Sequence, residues 1–87
     1  MLRVTLLTST CENYQPMMEL TTPNRREYCE WHEIALDQRQ QHRYEPWGER
    51  NEYMLDALSG CDWLMFMDTD TLITRLSIDC RCFCDPQ

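Results

Sequence analysis

An α/β fold built on a three-stranded, mainly parallel sheet is what this sequence predicts, on three observations. Apolar, strand-like runs alternate with helix-patterned stretches in the order strand, helix, strand, helix, strand, a βαβαβ arrangement. The last strand, Trp63-Leu64-Met65-Phe66-Met67, is a continuous apolar run of the kind a buried parallel strand shows. It ends in two carboxylates, Asp68 and Asp70, one residue apart. In open α/β sheets ligands lie just outside the carboxyl ends of the strands, so acids placed there can meet a ligand or a metal.

Taken in order, Leu2 to Thr8 combines apolar with β-branched residues (Val4, Thr5, Leu6, Leu7) and reads as a buried first strand. A polar loop follows from Thr8 to Tyr14. Pro16 starts a short helical turn through Leu20; Thr22 and Pro23 then supply an N-cap and a first helical position for a longer helix. From Pro23 to Ile34, Tyr28, Trp31, His32 and Ala35 recur at helical spacing as the packed face, while Arg26, Glu27, Glu30 and Glu33 take the solvated side. Ile34 to Arg39 is the second strand. Tyr44-Glu45-Pro46-Trp47-Gly48 reads as a loop with two aromatics. Glu49 to Leu58 is the second helix, with Tyr53, Met54, Ala57 and Leu58 on one face and Gly60 as the left-handed residue at its end. The third strand begins at Asp62, Thr71 to Ile78 reads as a short helix or turn, and 79–87 as an irregular Cys-rich tail. The chain thus divides into a Rossmann-like half-domain over 1–78 and that tail. In such a half-domain a nucleotide lies at the first loop.

A chain of 87 residues holds one domain and buries about 60 to 65% of the surface it exposes when unfolded. Its formal charge of -7 comes from 15 acids against 8 bases, all of them arginine. That balance argues against nucleic acid as a bulk partner, because phosphate backbones are bound chiefly through excess Lys and Arg. An anionic ligand would need a metal ion or a local arginine. The opening Met1 to Leu7 runs into Thr8-Ser9-Thr10 without a cleavage pattern, and no run is long enough to span a bilayer, so a cytoplasmic location is expected. The six cysteines are read as reduced thiols. Cys80, Cys82 and Cys84 alternate and would share one face if extended, but a structural zinc site needs four ligands.

Two carboxylates at spacing two, on the turn after a strand, can hold a hard divalent cation while diphosphate oxygens complete its shell. The competing reading is that Asp68 and Asp70 cap the turn by accepting main-chain N–H groups. His32, beside the apolar helix face, reads as a hydrogen-bonded packing residue rather than a ligand or base. Tyr44 and Trp47 contact a sugar or base, or close over the core.

On these residues the chain resembles a known family. Trp63 to Ile73, WLMFMDTDTLI, is similar to the metal-binding segment of GT-A-fold glycosyltransferases, especially the family of fungal α-galactosyltransferases, mannan-synthesis subunits and plant xyloglucan xylosyltransferases. Asn24-Arg25-Arg26-Glu27-Tyr28-Cys29-Glu30-Trp31-His32 is similar to that family's Asn-basic-basic-x-Tyr-x-x-x-His helix, and Trp47, Arg50 and Leu55 to Leu58 match its later tryptophan, basic residue and helix. The resemblance covers about residues 2 to 75. It implies a GT-A nucleotide-sugar-binding half, with Asp68 and Asp70 at a Mn²⁺ (or Mg²⁺) and sugar-diphosphate site and with Thr8 and Ser9 near the nucleoside. A UDP-sugar is favoured over a GDP-sugar as donor, and a glycan or other hydroxyl is the acceptor. Arg50 stands where the family usually has lysine, and Glu33-Ile34 replaces its Gly-Tyr after the histidine. GT-A domains continue past this segment into acceptor-binding elements and a further metal ligand, usually histidine, so a truncated amino-terminal part is expected.

Two other readings stay open. A haloacid-dehalogenase-type phosphatase also carries DxDx(T/V) after an apolar strand; here Leu72 occupies the motif's fifth position, and the lysine such enzymes use is missing from a chain without lysine. An inactive nucleotide- or metal-binding fragment would bind without turnover.

Overall fold

The computed structural model describes residues 2–10, 14–40 and 46–83, with the side chains of 46–48 excepted. Tyr44, the Trp47 side chain, Cys11 and Cys84 therefore lie outside the described residues. The elements are β1 (Val4–Thr10), α1 (Gln15–His32), β2 (Ala35–Gln40), α2 (Pro46–Leu58) and β3 (Trp63–Phe66), followed by a 3₁₀ turn, Cys80–Phe83. The three strands form one open sheet in the order β2-β1-β3, all parallel. Each connection runs through a helix, which parallel neighbours require. β1 lies in the middle, with Leu6 beside Leu36 on one flank and Met65 on the other.

Side chains alternate across the sheet and sort the helices onto opposite faces. Val4, Leu6, Leu36, Met65 and Met67 pack with Tyr28, Cys29 and Ile34 of α1 and its exit. On the other face Phe66 lies beneath the Arg50 guanidinium, 4.7 Å from its ring centroid. Arg39 there pairs with Asp37 and with Asp56 of α2, both at 2.8 Å. A mixed α/β layer with a three-stranded parallel sheet, as the sequence predicts, is what forms. No described helix is long and apolar enough to cross a membrane.

Several expectations are corrected. β1 runs through Thr10, so Thr8, Ser9 and Thr10 are buried strand residues rather than the start of a loop. The second strand sits one residue later than expected. α1 is one continuous helix from Gln15, with Pro23 inside it rather than at its start. Proline has no N–H for the carbonyl one turn back, and the neighbouring Thr22 hydroxyl bonds the Met18 carbonyl at 2.6 Å. Continuity comes from packing: Met18 and Thr21 before the proline, and Arg25, Tyr28 and Cys29 after it, form one buried stripe. Trp31 falls off that stripe, 58% exposed and stacked on His32, while Ala35 belongs to β2 and is exposed. Leu58 is 45% exposed, so α2 packs through Glu49, Tyr53 and Ala57 instead.

The left-handed residue is not where it was expected either. No described glycine has positive φ, and α2 ends by tightening, with Gly60 and Cys61 N–H donating to the Ala57 and Leu58 carbonyls. Glu33, at φ 55°, ψ 48°, is the residue that turns left-handed, letting the Ile34 N–H reach the Cys29 carbonyl at 2.8 Å. A β-carbon there is strained, by roughly 1–2 kcal/mol. Glu33→Gly is therefore expected to stabilise the fold by about 0.5–1 kcal/mol once the freer unfolded chain is counted. Thermal unfolding followed by circular dichroism checks this, and a lower midpoint in the variant contradicts it.

Candidate functional site

After β3 the chain stays irregular through Asp79, with no helix in 71–78. Its main-chain polar groups still need partners, and one face of α1 supplies them. Asn24 holds Ile73 in both directions, Nδ2 donating to its carbonyl (2.9 Å) and Oδ1 accepting from its N–H (2.8 Å). Tyr28 donates its hydroxyl to the Ile78 carbonyl (2.8 Å) and accepts from the Cys80 N–H (2.7 Å). His32 Nε2 donates to the Leu76 carbonyl at 2.6 Å, since a carbonyl oxygen only accepts. Arg81 then closes the loop, donating to the Leu2 (2.8 Å), His32 (2.9 Å) and Glu33 (3.2 Å) carbonyls. Residues 79–83 therefore dock on the half-domain. Because Cys80–Phe83 is a 3₁₀ turn rather than an extended strand, Cys80 and Cys82 do not line up on one face: Cys80 packs against the core and Cys82 is exposed.

The acids sit at the start of this segment. Met67 N–H donates to the Leu7 carbonyl (3.0 Å), carrying the sheet's ladder one residue past β3. The turn that follows is closed at the main-chain oxygen of Asp68, which accepts from the Thr71 N–H (3.3 Å) and the Thr71 hydroxyl (2.7 Å). The carboxylates do not close it, so the capping role weighed above falls to a carbonyl. Both acids are exposed, whereas Thr69 between them is buried.

Arg50 of α2 reaches across the carboxyl end of the sheet to 3.4 Å from the Asp68 carboxylate. With the Asp68 side chain 58% exposed, solvent screens this pair and it is worth about 0–1 kcal/mol. Its value is positional: a cation, supported on the Phe66 ring, beside one of two acids. Arg25 of α1 lies beneath the turn. Burial pulls its pKa below the usual value and Asp70 draws it back up; an arginine stays protonated all the same. Of the other candidates, Thr8 is fully enclosed and its hydroxyl has no partner among the described residues, and Ser9 is 6% exposed.

Two carboxylates make a hard-oxygen donor set suited to Mn²⁺ or Mg²⁺. No group of three His, Cys, Asp or Glu converges among the described residues. Neither arginine was singled out as functional from the sequence. In the sequence Arg50 is a basic residue standing where the resembled family usually has lysine, and Arg25 is one basic residue of a helix motif. The signal for Arg25 was its phase, since 18, 21, 25, 28 and 32 step by three and four along one helical stripe. Comparison with protein-family profiles, curated proteins and solved structures finds no match to this chain.

Chiefly through burial, the phenol of Tyr28 is pushed up to about 12 and the Cys29 thiol up to about 11. Both are neutral when protonated, so each keeps its proton longer in the folded chain than in the unfolded one. Their contribution to stability is whole below the unfolded values, 9.0 for the thiol and 10.0 for the phenol, and is lost as pH rises through the folded values. The urea midpoint is expected to fall steadily from pH 9 to pH 11, and Cys29→Ala to remove the early part of that fall. A midpoint that is flat over this range contradicts the assignment.

Proposed function

We propose that this chain is the nucleotide-sugar-binding half of a GT-A-type glycosyltransferase, in which Asp68 and Asp70 hold a divalent cation, Mn²⁺ or Mg²⁺, against the diphosphate of a UDP- or GDP-sugar. The observation that carries the reading is the presentation of two exposed carboxylates at the carboxyl end of a parallel sheet, on a turn whose carbonyls face inward to α1. That is where open α/β sheets bind ligands. The bound ion would supply Lewis-acid stabilisation of charge on a leaving diphosphate.

In this reading Asp70 is the direct ligand of the ion, and Asp68, beside Arg50, completes the metal site on the side of the donor's ribose or sugar. Arg50 also adds positive charge beside an anionic ligand in an otherwise acidic molecule. In this reading the nucleoside lies near Thr8 and Ser9, which are buried just short of the end of β1 at Thr10. The acceptor in this reading is a glycan or other hydroxyl, and the transfer reaction itself is attributed through the family resemblance.

The test is a titration of tryptophan fluorescence with UDP and with GDP, each with and without Mn²⁺. Binding in the micromolar to millimolar range that requires Mn²⁺ is expected, with UDP the tighter nucleotide. Asp70→Asn should abolish the metal requirement together with most of the affinity. A folded wild-type chain that binds neither nucleotide under any of these conditions contradicts the proposal.

A further inference from the structure

Arg25 is 0% exposed, the bulkiest of the fully enclosed side chains among the described residues. A charge so placed is costly unless its donors are used, and its terminal donors act on one short stretch of chain, directly or through Thr21. Nη2 donates to the carbonyls of Asp68 and, at 3.0 Å, Thr71, which are the two ends of the acid-bearing turn. Nη1 donates to the Thr21 hydroxyl. That hydroxyl has a single proton, and its nearest acceptor is the Thr69 carbonyl at 2.9 Å. Three carbonyls of the four-residue turn are thus held from behind, directly or through Thr21, and the fourth residue, Asp70, sits within the field of the guanidinium.

We propose that Arg25 is a positioning residue for the acid pair: by gripping both ends of the 68–71 turn it fixes the spacing and outward direction of Asp68 and Asp70, and hence their affinity for a divalent cation. This rests on the metal-site reading above. Only a planar fork can reach two carbonyls with one nitrogen while a second nitrogen engages Thr21; lysine offers a point charge without that geometry. The Nε–H has no partner among the described residues, so a shorter donor set would bury fewer orphans but would not span the turn.

The experiment compares the full chain with Arg25→Lys, Arg25→Met and Asn24→Ala. The last removes a clamp of the same helix on the same segment, but at Ile73, beyond the acids. Two quantities are read: amide hydrogen exchange at Thr71 and Leu6 in the ligand-free protein, and Mn²⁺ affinity from the paramagnetic relaxation of water protons. Both Arg25 variants are expected to speed exchange at Thr71 but not at Leu6 in the central strand, and to weaken Mn²⁺ binding roughly 10- to 100-fold, as loss of a ligand-orienting partner does. Asn24→Ala should leave Mn²⁺ affinity at the wild-type value. Thr21→Val, which removes the link to Thr69 and the acceptor of Arg25 Nη1 but leaves Nη2 on both ends of the turn, replaces the Arg25 variants if they lose their fold, and should weaken Mn²⁺ binding less.

Unchanged Thr71 exchange and unchanged Mn²⁺ affinity in Arg25→Lys overturn the inference. Equal loss of affinity in Asn24→Ala overturns it too, since that would make the effect one of general stability. A wild-type chain that takes no Mn²⁺ contradicts the metal reading instead, and the exchange data then still decide whether Arg25 holds the turn.

Discussion

The capture of irregular main chain by one face of α1 is the constraint on which the rest of this structure depends. Beyond β3 the chain forms no further strand or α-helix up to the closing 3₁₀ turn, so its carbonyls would be left unpaired wherever they are buried. Thr21, Asn24, Arg25, Tyr28 and His32, spaced along one stripe of the helix, meet the main chain at Thr69, Ile73, Asp68 and Thr71, Ile78 and Cys80, and Leu76. The same stripe contributes Tyr28 and Cys29 to the apolar core. One helix therefore does two things: it covers the sheet and it shapes the segment that carries the acids.

This arrangement separates what holds the turn from what the turn presents. Carbonyls point inward to a buried cation, and carboxylates remain exposed on the far side. Arg50 approaches from the opposite helix and fixes the first acid without enclosing it. Two arginines from two layers thus bracket an acidic turn in a chain whose net charge is -7. In the proposed function this bracket would receive a cation together with its anionic ligand.

Much of this was legible in the sequence, for identifiable reasons. The apolar run Trp63 to Met67 and the β-branched opening of the chain can only be strands in a mixed fold, and two intervening amphipathic stretches make the parallel order follow. The acids at the end of that run needed no tertiary information to be placed at the sheet's carboxyl end. What was missed depends on contacts distant in sequence. Pro23 carries a strong local signal for a helix start, which packing on both sides of it overrides. Gly60 carries the local signal for a left-handed exit, yet Glu33 takes that conformation because Ile34 must drop into the core beside Cys29. Arg25 stands in the sequence only as one basic residue of the Asn24 to His32 stretch, and its partners, the carbonyls of Asp68 and Thr71, lie more than forty positions away.

Binding of a divalent cation at the turn held by Arg25 is the proposal on which the function rests. Its most direct test is a titration of the ¹⁵N-labelled chain with substoichiometric Mn²⁺, with amide signals followed for paramagnetic broadening. Thr69, Asp70 and Thr71 are expected to broaden first, with Arg50 next across the sheet's end, while Glu27 and Glu30 on the outer face of α1 stay sharp. Broadening that starts at those outer glutamates, or spreads evenly over the exposed acids, would contradict it.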